Sequence, residues 1–323
     1  PTLSSNLSRP AYEQAVSRIQ DYIRAGHVYQ VNMSQRFSTA YSGSGFELFR
    51  RLFDSNPAPF FAYVNAGDHE IVSTSPERFL FQQGRFVETR PIKGTRPRGG
   101  TPEEDRTLRE ELASSVKDEA ELSMIVDLLR NDLGKVCAPG TVRVAEHKRL
   151  EGYTNVTHLV SRVEGELDKG LDSVDLIRAA FPGGSITGCP KVRSMEIIDE
   201  LEASARHIYT GAIGYLSFHR TMDLSIAIRT ATLVSETLHF SVGGGVVFDS
   251  CPGDEYEETL HKGRTFFEVM TSPGLQPLPV RQLWHNGRLV PEQEARIPAL
   301  DLGFQYGYGL FETIRADQGH VHR

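Results

Sequence analysis

Cysteine is scarce in this 323-residue chain: Cys137, Cys189 and Cys251 lie far apart, and no two form a CxxC pair. This excludes a disulfide framework and a structural zinc site, and it suits a reducing, cytoplasmic setting. A basic excess is also missing. Lys and Arg number 35 against 42 Asp and Glu, a net charge of −7, whereas a nucleic-acid surface needs cations for its phosphates. A small anionic ligand is not excluded, because it needs only a local positive pocket. No apolar run reaches membrane-spanning length and no signal peptide opens the chain, so no membrane partner is expected. The sequons at Asn6, Asn32 and Asn155 then read as chance matches. The start at Pro1 and the stop at Arg323 in mid-pattern read as the ends of a fragment.

What is present is an ordinary globular balance, 39% hydrophobic and 24% charged, in a chain long enough for a large core. Ser8 before Pro10, then Tyr12, Val16, Ile19 and Ile23, predicts a helix ending at Gly26. VYQVNMSQRF, FFAYVNA, HEIVSTS, RFLFQQ, RFVET and TVRVAEH read as strands. One long helix is expected over 102–134, others over 172–181 and from Lys191, then three or four strands from 208 to 248 and a helix from about Asp254. Strand runs mixed with long helices, without regular βαβ alternation, predict an α+β fold. SPGLQPLP reads as a linker, giving a domain over 1–271, a linker over 272–280 and a further piece over 281–323.

Several positions carry chemistry. Glu121 shares a helix face with Ile125 and Leu128, and a carboxylate there needs a cation or a hydrogen-bond partner. DEYEETLHK sets Glu255, Glu258 and Lys262 on one face. Carboxylates from two helices suit a hard ion such as Mg²⁺, and equally a solvated acidic face. FPGGSITGCPK is a Gly-rich turn feeding a helix N-terminus, a place that favours an anion. Gly183 and Gly188 have the P-loop glycine spacing, but Cys189 stands where lysine must, so a nucleotide is disfavoured. VGGGVV lets backbone approach a ligand closely, or marks a bulged strand. Lys93 sits in ETRPIKGTRPRG beside Arg90, Arg96 and Arg98, either as a nucleophile activated by cation crowding or in an exposed basic loop. His158, alone in its strand, reads more readily as a structural histidine than as a catalyst.

Together these segments resemble a family. YQVNMSQRF, SPERF, RPIKGTRPRG, DEAELSMIVDLLRNDLGKV, THLVSRVEG, FPGGSITGCPKVRSMEIIDELE, YTGAIGY, AIRT, GGGVVFDS and EYEETLHK follow one another in order. The chain is similar over about residues 5–270 to the chorismate-utilising enzymes, which include the anthranilate, aminodeoxychorismate, isochorismate and salicylate synthases. The resemblance implies two packed β-sheets wrapped by helices, around a deep chorismate site. It implies Mg²⁺ on Glu121 and Glu258 with Glu255 beside them. It implies a carboxylate clamp of Tyr209, Arg229, the backbone at Gly243 and Gly244, and Lys262, helped by Ser185. Glu77 would be the acid that protonates the leaving 4-hydroxyl, with His158 near the ring. Gln30 stands where the isochorismate and salicylate enzymes carry a lysine base, which argues against water as the nucleophile.

PIKGT, with Lys93 in place of the alanine of anthranilate synthases, implies attack of that lysine on C2 of the ring. Ammonia from a glutamine amidotransferase subunit, or free ammonium, then enters at C4. The expected activity is therefore the aminodeoxychorismate synthase reaction of p-aminobenzoate and folate biosynthesis. Anthranilate synthesis is the alternative, and a non-catalytic chorismate-binding module that docks an amidotransferase is another. Cys189 and His261 depart from the family pattern, where alanine and asparagine are usual. The family's N-terminal subdomain is absent from this sequence. The tail after the linker, with NG and DLGFQYGYGLFETIR, resembles the start of class IV pyridoxal-phosphate enzymes, departing at Leu302 and Tyr308. The lysine that binds pyridoxal phosphate lies downstream in that family, so the cofactor is expected only in a longer synthase–lyase fusion.

Overall fold

Ser8 opens the first helix as the spacing predicts. Its hydroxyl accepts from Ala11 N at 3.3 Å, Pro10 occupies the first turn, and Tyr12, Val16 and Ile19 are buried along α1 (Arg9–Arg24). The computed structural model describes residues 3–55, 57–153, 155–271, 282–285, 288–291, 315–317 and 320–322. The chain divides into two compact units, Pro1–Ser272 and Pro273–Arg323.

The first unit holds two antiparallel sheets. One contains β1 (Ser4–Ser5), β2 (Gln30–Ala40), β3 (Phe60–Asn65), β4 (Glu70–Ser75), β10 (Gly188–Cys189), β13 (Thr230–Val234) and β14 (Thr237–Val246). Its order is β1-β2-β14-β13-β4-β3, with β10 also on β2. The other contains β5 (Arg78–Gln83), β6 (Phe86–Arg90), β7 (Ile92–Pro97), β8 (Arg143–Gly152), β9 (Val156–Glu166), β11 (Ala212–Ser217) and β12 (Thr221–Ile226). Its order is β11-β12-β5-β6-β9-β7, with β8 on β9. The α+β expectation holds.

Helices cover these sheets through three apolar clusters. α2 (Gly45–Ser55) and α7 (Pro252–Thr271) pack Leu48, Leu52 and Phe266 onto Phe37 and Phe240 of the first sheet. The Phe240 and Phe266 rings stack at 5.1 Å. α4 (Val116–Gly134) and α5 (Ser173–Ala180) bury Leu122, Val126, Leu133 and Leu176 against Leu80, Leu159 and Val163 of the second. α1 and α6 (Lys191–Leu201) close over Val31, Met33 and Val246. Each buried Leu or Phe side chain in these clusters contributes about 1.5–3 kcal/mol of transfer free energy.

Three expectations are corrected. The predicted helix over 102–134 is two helices, α3 (Pro102–Ser114) and α4. Extended Ser115 ends α3 and starts α4 by accepting from Asp118 N at 3.3 Å. The GGG run is not a bulge, because β14 pairs with β2 in unbroken register from Thr237 to Val246. PIKGT is not a loop: it forms β7 on β9. No helix among the described residues is long and apolar enough to cross a membrane, and none of the three cysteines is disulfide-bonded. The linker over 272–280 lies outside the described residues, as does most of the tail motif, including 286–287, 301–314 and Gly319. Two short hairpins are described beyond it, Gln282–His285 with Arg288–Pro291 and Arg315–Asp317 with His320–His322.

Candidate active site

The turn between β4 and β5 buries a carboxylate. Glu77 is 6% exposed, and Ser185 donates its hydroxyl to Glu77 Oε1 at 2.7 Å. Burial pushes the carboxyl up to about 6, against the Ser185 hydrogen bond and the positive charges of Lys93 and Lys262. A group so placed can carry a proton close to neutrality.

Lys93 comes from β7, where Gly94 (φ +73°) makes a bulge and the register slips between Lys93↔Leu159 and Thr95↔His158. A side chain at 94 would be strained by that φ and would strike Leu112 of α3 at 2.8 Å. The glycine therefore sets the presentation of the lysine. Lys93 Nζ lies 3.8 Å from Glu121 Oε2, and both side chains are mostly buried. Glu121 thus has the cation that its apolar helix face demanded. The expected cation crowding is overturned. Arg90 pairs with Glu151, Arg96 with Glu111 and Asp118, and Arg98 with Asp105. The charges facing Lys93 are carboxylates.

α7 brings the second acidic group. Ser250 donates to Glu255 Oε1 at 2.7 Å, while Glu255 Oε2 is buried without a partner. Burial, with Glu258 nearby, raises the Glu255 carboxyl against the pull of Ser250, Lys117 and Lys262. Glu258 is half-buried, and it is held below its ordinary value because Lys262, Lys117 and Lys93 outweigh its partial desolvation. Lys262 Nζ sits 2.6 Å from Glu258 Oε1 and donates to Gly243 O at 2.9 Å. The glycines clear this space. A Cβ on Gly244 would lie 2.9 Å from Glu255 Oε2 and 3.3 Å from Glu258 Oε1, and one on Gly245 would lie 2.7 Å from Gln30 Nε2 and 3.6 Å from Lys93 Nζ.

Arg229 and His158 form a second group, with Tyr209 placed separately by Arg206. Among the described residues the half-buried guanidinium of Arg229 has no hydrogen bond or ion pair. Burial lowers its pKa, with Glu77 opposing. His158 is 2% exposed, and burial plus Arg229 push it down to about 4, so its imidazole is neutral through the physiological range. Its Nδ1 pairs with Thr95 Oγ1 at 2.9 Å. Tyr209 is buried, which raises its phenol, and Arg206 lies over its ring at 5.8 Å.

The description "chorismate binding enzyme" belongs to the family model that matches residues 1–268. The chain belongs to that family. It is 50% identical over 258 residues to aminodeoxychorismate synthase component 1 of Salmonella typhimurium, covering 80% of this chain and 57% of that protein. It is 46% identical over 270 residues to anthranilate synthase component 1 of Pseudomonas putida, covering 84% and 55%. The crystal structure of anthranilate synthase component I from Streptococcus pneumoniae aligns with a TM-score of 0.76 at 37% identity, covering 81% of this chain and 58% of that one. The chain thus spans a little over half the length of these relatives.

Within this chorismate-binding unit, interactions link Glu77, Lys93, Ser185, Glu121, Glu255, Glu258, Lys262 and Arg229, and Gln30 adjoins Lys93 through Gly245. Reading the sequence missed Gly245, Ser250 and Thr95, whose roles are visible only once the strands pair. The Gly-rich turn reaches its helix less directly than its spacing suggests. It does not wrap the N-terminus of α6: Gly184–Ile186 form a 3₁₀ turn and Gly188–Cys189 pair with β2 before that helix begins. Its serine donates to Glu77.

Neutral His158 has a consequence for stability. The buried imidazole carries no ionisation cost above about 6.5, and the native state is penalised progressively as pH falls towards 4. His158→Gln is expected to flatten the acid limb of the urea-unfolding profile by about 3 kcal/mol between those values. An unchanged limb would show that the imidazole protonates freely in the folded state.

Proposed function

We propose that this chain is the chorismate-aminating core of an aminodeoxychorismate synthase, adding ammonia at C4 of chorismate without releasing pyruvate. The observation that carries the reading is Lys93, buried among carboxylates beside Gly245 and Gln30 and close enough to Glu77 to lower its pKa. An amine nucleophile and a carboxylic acid proton donor thus border one space.

The chemistry follows in two displacements. Lys93 passes its ammonium proton to Glu121 and bonds through Nζ to ring C2, the double bond shifts, and the C4–O bond breaks as Glu77 gives its proton to the departing hydroxyl, which leaves as water. Ammonia then bonds to C4, the double bond shifts back, and the C2–N bond breaks to return the lysine. Splitting one substitution in two lowers each barrier. Arg229, Tyr209 and Lys262 supply cationic and hydrogen-bonding groups for the substrate carboxylates. His158, held neutral, offers an uncharged ring beside Arg229. A glutamine amidotransferase supplies the ammonia, in keeping with the "component 1" names of the relatives.

Mg²⁺ fits the residues at α7. Among the described residues no three His, Cys, Asp or Glu stand close enough to form a metal site. Mg²⁺ needs fewer, since it is usually held by one or two carboxylates with waters and substrate oxygens. Glu121 and Glu258 would hold it, with Glu255 and its orphaned Oε2 beside them. Bound there, Mg²⁺ neutralises a substrate carboxylate. Gly244→Ala places a methyl against Glu255 and Glu258. It is expected to weaken Mg²⁺ binding in calorimetry by about tenfold or more. Unchanged affinity would move the metal elsewhere.

The reading is tested by following chorismate absorbance with Mg²⁺ and ammonium. Consumption that requires both supports it, and consumption without ammonium overturns it.

A further inference from the structure

We infer that Lys191 is a positioning residue for Glu77, tying both feet of the loop that carries Ser185 to α4. This rests on the reading of Glu77 as the acid in the proposed reaction.

The loop leaves α5 at Ala180 and re-enters a helix at Lys191. Lys191 Nζ donates to Ala180 O at 2.7 Å and to Asp132 Oδ2 at 2.6 Å. One ammonium therefore joins the loop's beginning, its end and the last turn of α4. Asp132 is 1% exposed and its other oxygen takes Lys135 Nζ at 2.9 Å, but the Lys135 side chain is half exposed. Lys191 is the buried partner. One turn earlier on α4, Leu128 forms the floor of the loop: a Cβ on Gly184 would lie 2.5 Å from Leu128 Cδ2.

The two halves of the loop are held differently. Residues 187–189 are fixed to β2 and its approach, with Thr187 O accepting from Asn32 N at 2.8 Å and Cys189 O from Tyr29 N at 2.7 Å. The half before Ser185 has no such ladder, and α6 has no side-chain N-cap. Thr187 Oγ1 donates to Gly183 O at 2.9 Å near the end of that half, and its foot is tethered by the Ala180 carbonyl on Lys191. Release of the Lys191 tether loosens the foot of the loop and shifts the Ser185 hydroxyl on Glu77.

The test reads Glu77 directly, by ¹³C NMR titration of carboxyl-labelled protein, with the signal assigned through Glu77→Gln. The charged groups acting on Glu77 are Lys93 of β7, Lys262 of α7 and Arg229, and all remain in every variant. Ser185→Ala is expected to raise the Glu77 midpoint by about one pH unit, since the hydroxyl favours the ionised form. Lys191→Met is expected to raise it by half of that or more, with Lys191→Arg recovering part of the shift. Adding Lys191→Met to Ser185→Ala should move it no further. A folded Lys191→Met protein with an unchanged midpoint overturns the inference. An equal extra shift on the Ser185→Ala background also overturns it, because the effect would then be bulk charge. If Lys191→Met leaves Asp132 too costly to bury, Asp132→Asn with Lys191→Met removes both charges and carries the same measurement. Full activity in Glu77→Gln would remove the acid reading and leave this titration untouched.

Discussion

Lys93→Ala is expected to cut the rate of 4-amino-4-deoxychorismate formation by on the order of 10³-fold or more, because the two-step route then loses its nucleophile. The fold should survive. The side chain sits beside a glycine and acidic groups, and its loss removes the 3.8 Å pairing with Glu121 and its attraction for Glu77 and Glu258. The same geometry gives a second readout. Without its cation, Glu121 is a mostly buried carboxylate facing apolar neighbours on α4, so added Mg²⁺ should stabilise the variant more than the parent in thermal melts. Retained rate with Lys93→Ala would remove the covalent route and leave direct attack of ammonia.

Glu77→Gln is expected to have two opposed effects. Loss of the proton donor should lower the maximal rate by about 10²–10⁴-fold. Stability should move the other way. The folded pKa of about 6 lies above the usual 4.5, so the native state is penalised as pH rises from 4.5 through 6 and remains penalised above it. Glutamine removes that cost while still accepting the Ser185 hydroxyl. The gain at pH 8 is about 2 kcal/mol, and near pH 4 there is none. Urea unfolding at the two pH values checks this. Equal stability changes at both would mean that the carboxyl is not strained by burial. A residue that destabilises the fold while supplying a proton is the usual stability cost of an active site.

Local signals were legible where one residue does one job. The Ser8 cap, the Glu121 anomaly and the i, i+3, i+7 face of Glu255, Glu258 and Lys262 were all readable from spacing, and the ordered motifs pointed to the family. What stayed illegible depends on partners distant in sequence. Lys93 looked surrounded by arginines because three are its chain neighbours, yet each is drawn off by a carboxylate on another element. The bulge at Gly94 and the register of β7 on β9 bring Thr95 to His158, and no periodicity in a short strand foretells that. The break at Ser115 was hidden because serine suits a cap as well as an exposed helix position. Nothing in the sequence signals the two-residue strand that stands between the Gly-rich turn and α6. Gln30, named only by resemblance, proves to be wholly buried with both amide atoms unpartnered beside Lys93.

The most direct measurement is mass spectrometry of the wild-type product from chorismate, Mg²⁺ and ¹⁵N-ammonium, with pyruvate assayed in the same tube. Labelled 4-amino-4-deoxychorismate without pyruvate is the result expected of the Lys93 chemistry. Labelled anthranilate with one equivalent of pyruvate would contradict it, and would place the chain's activity with that of its anthranilate synthase relatives.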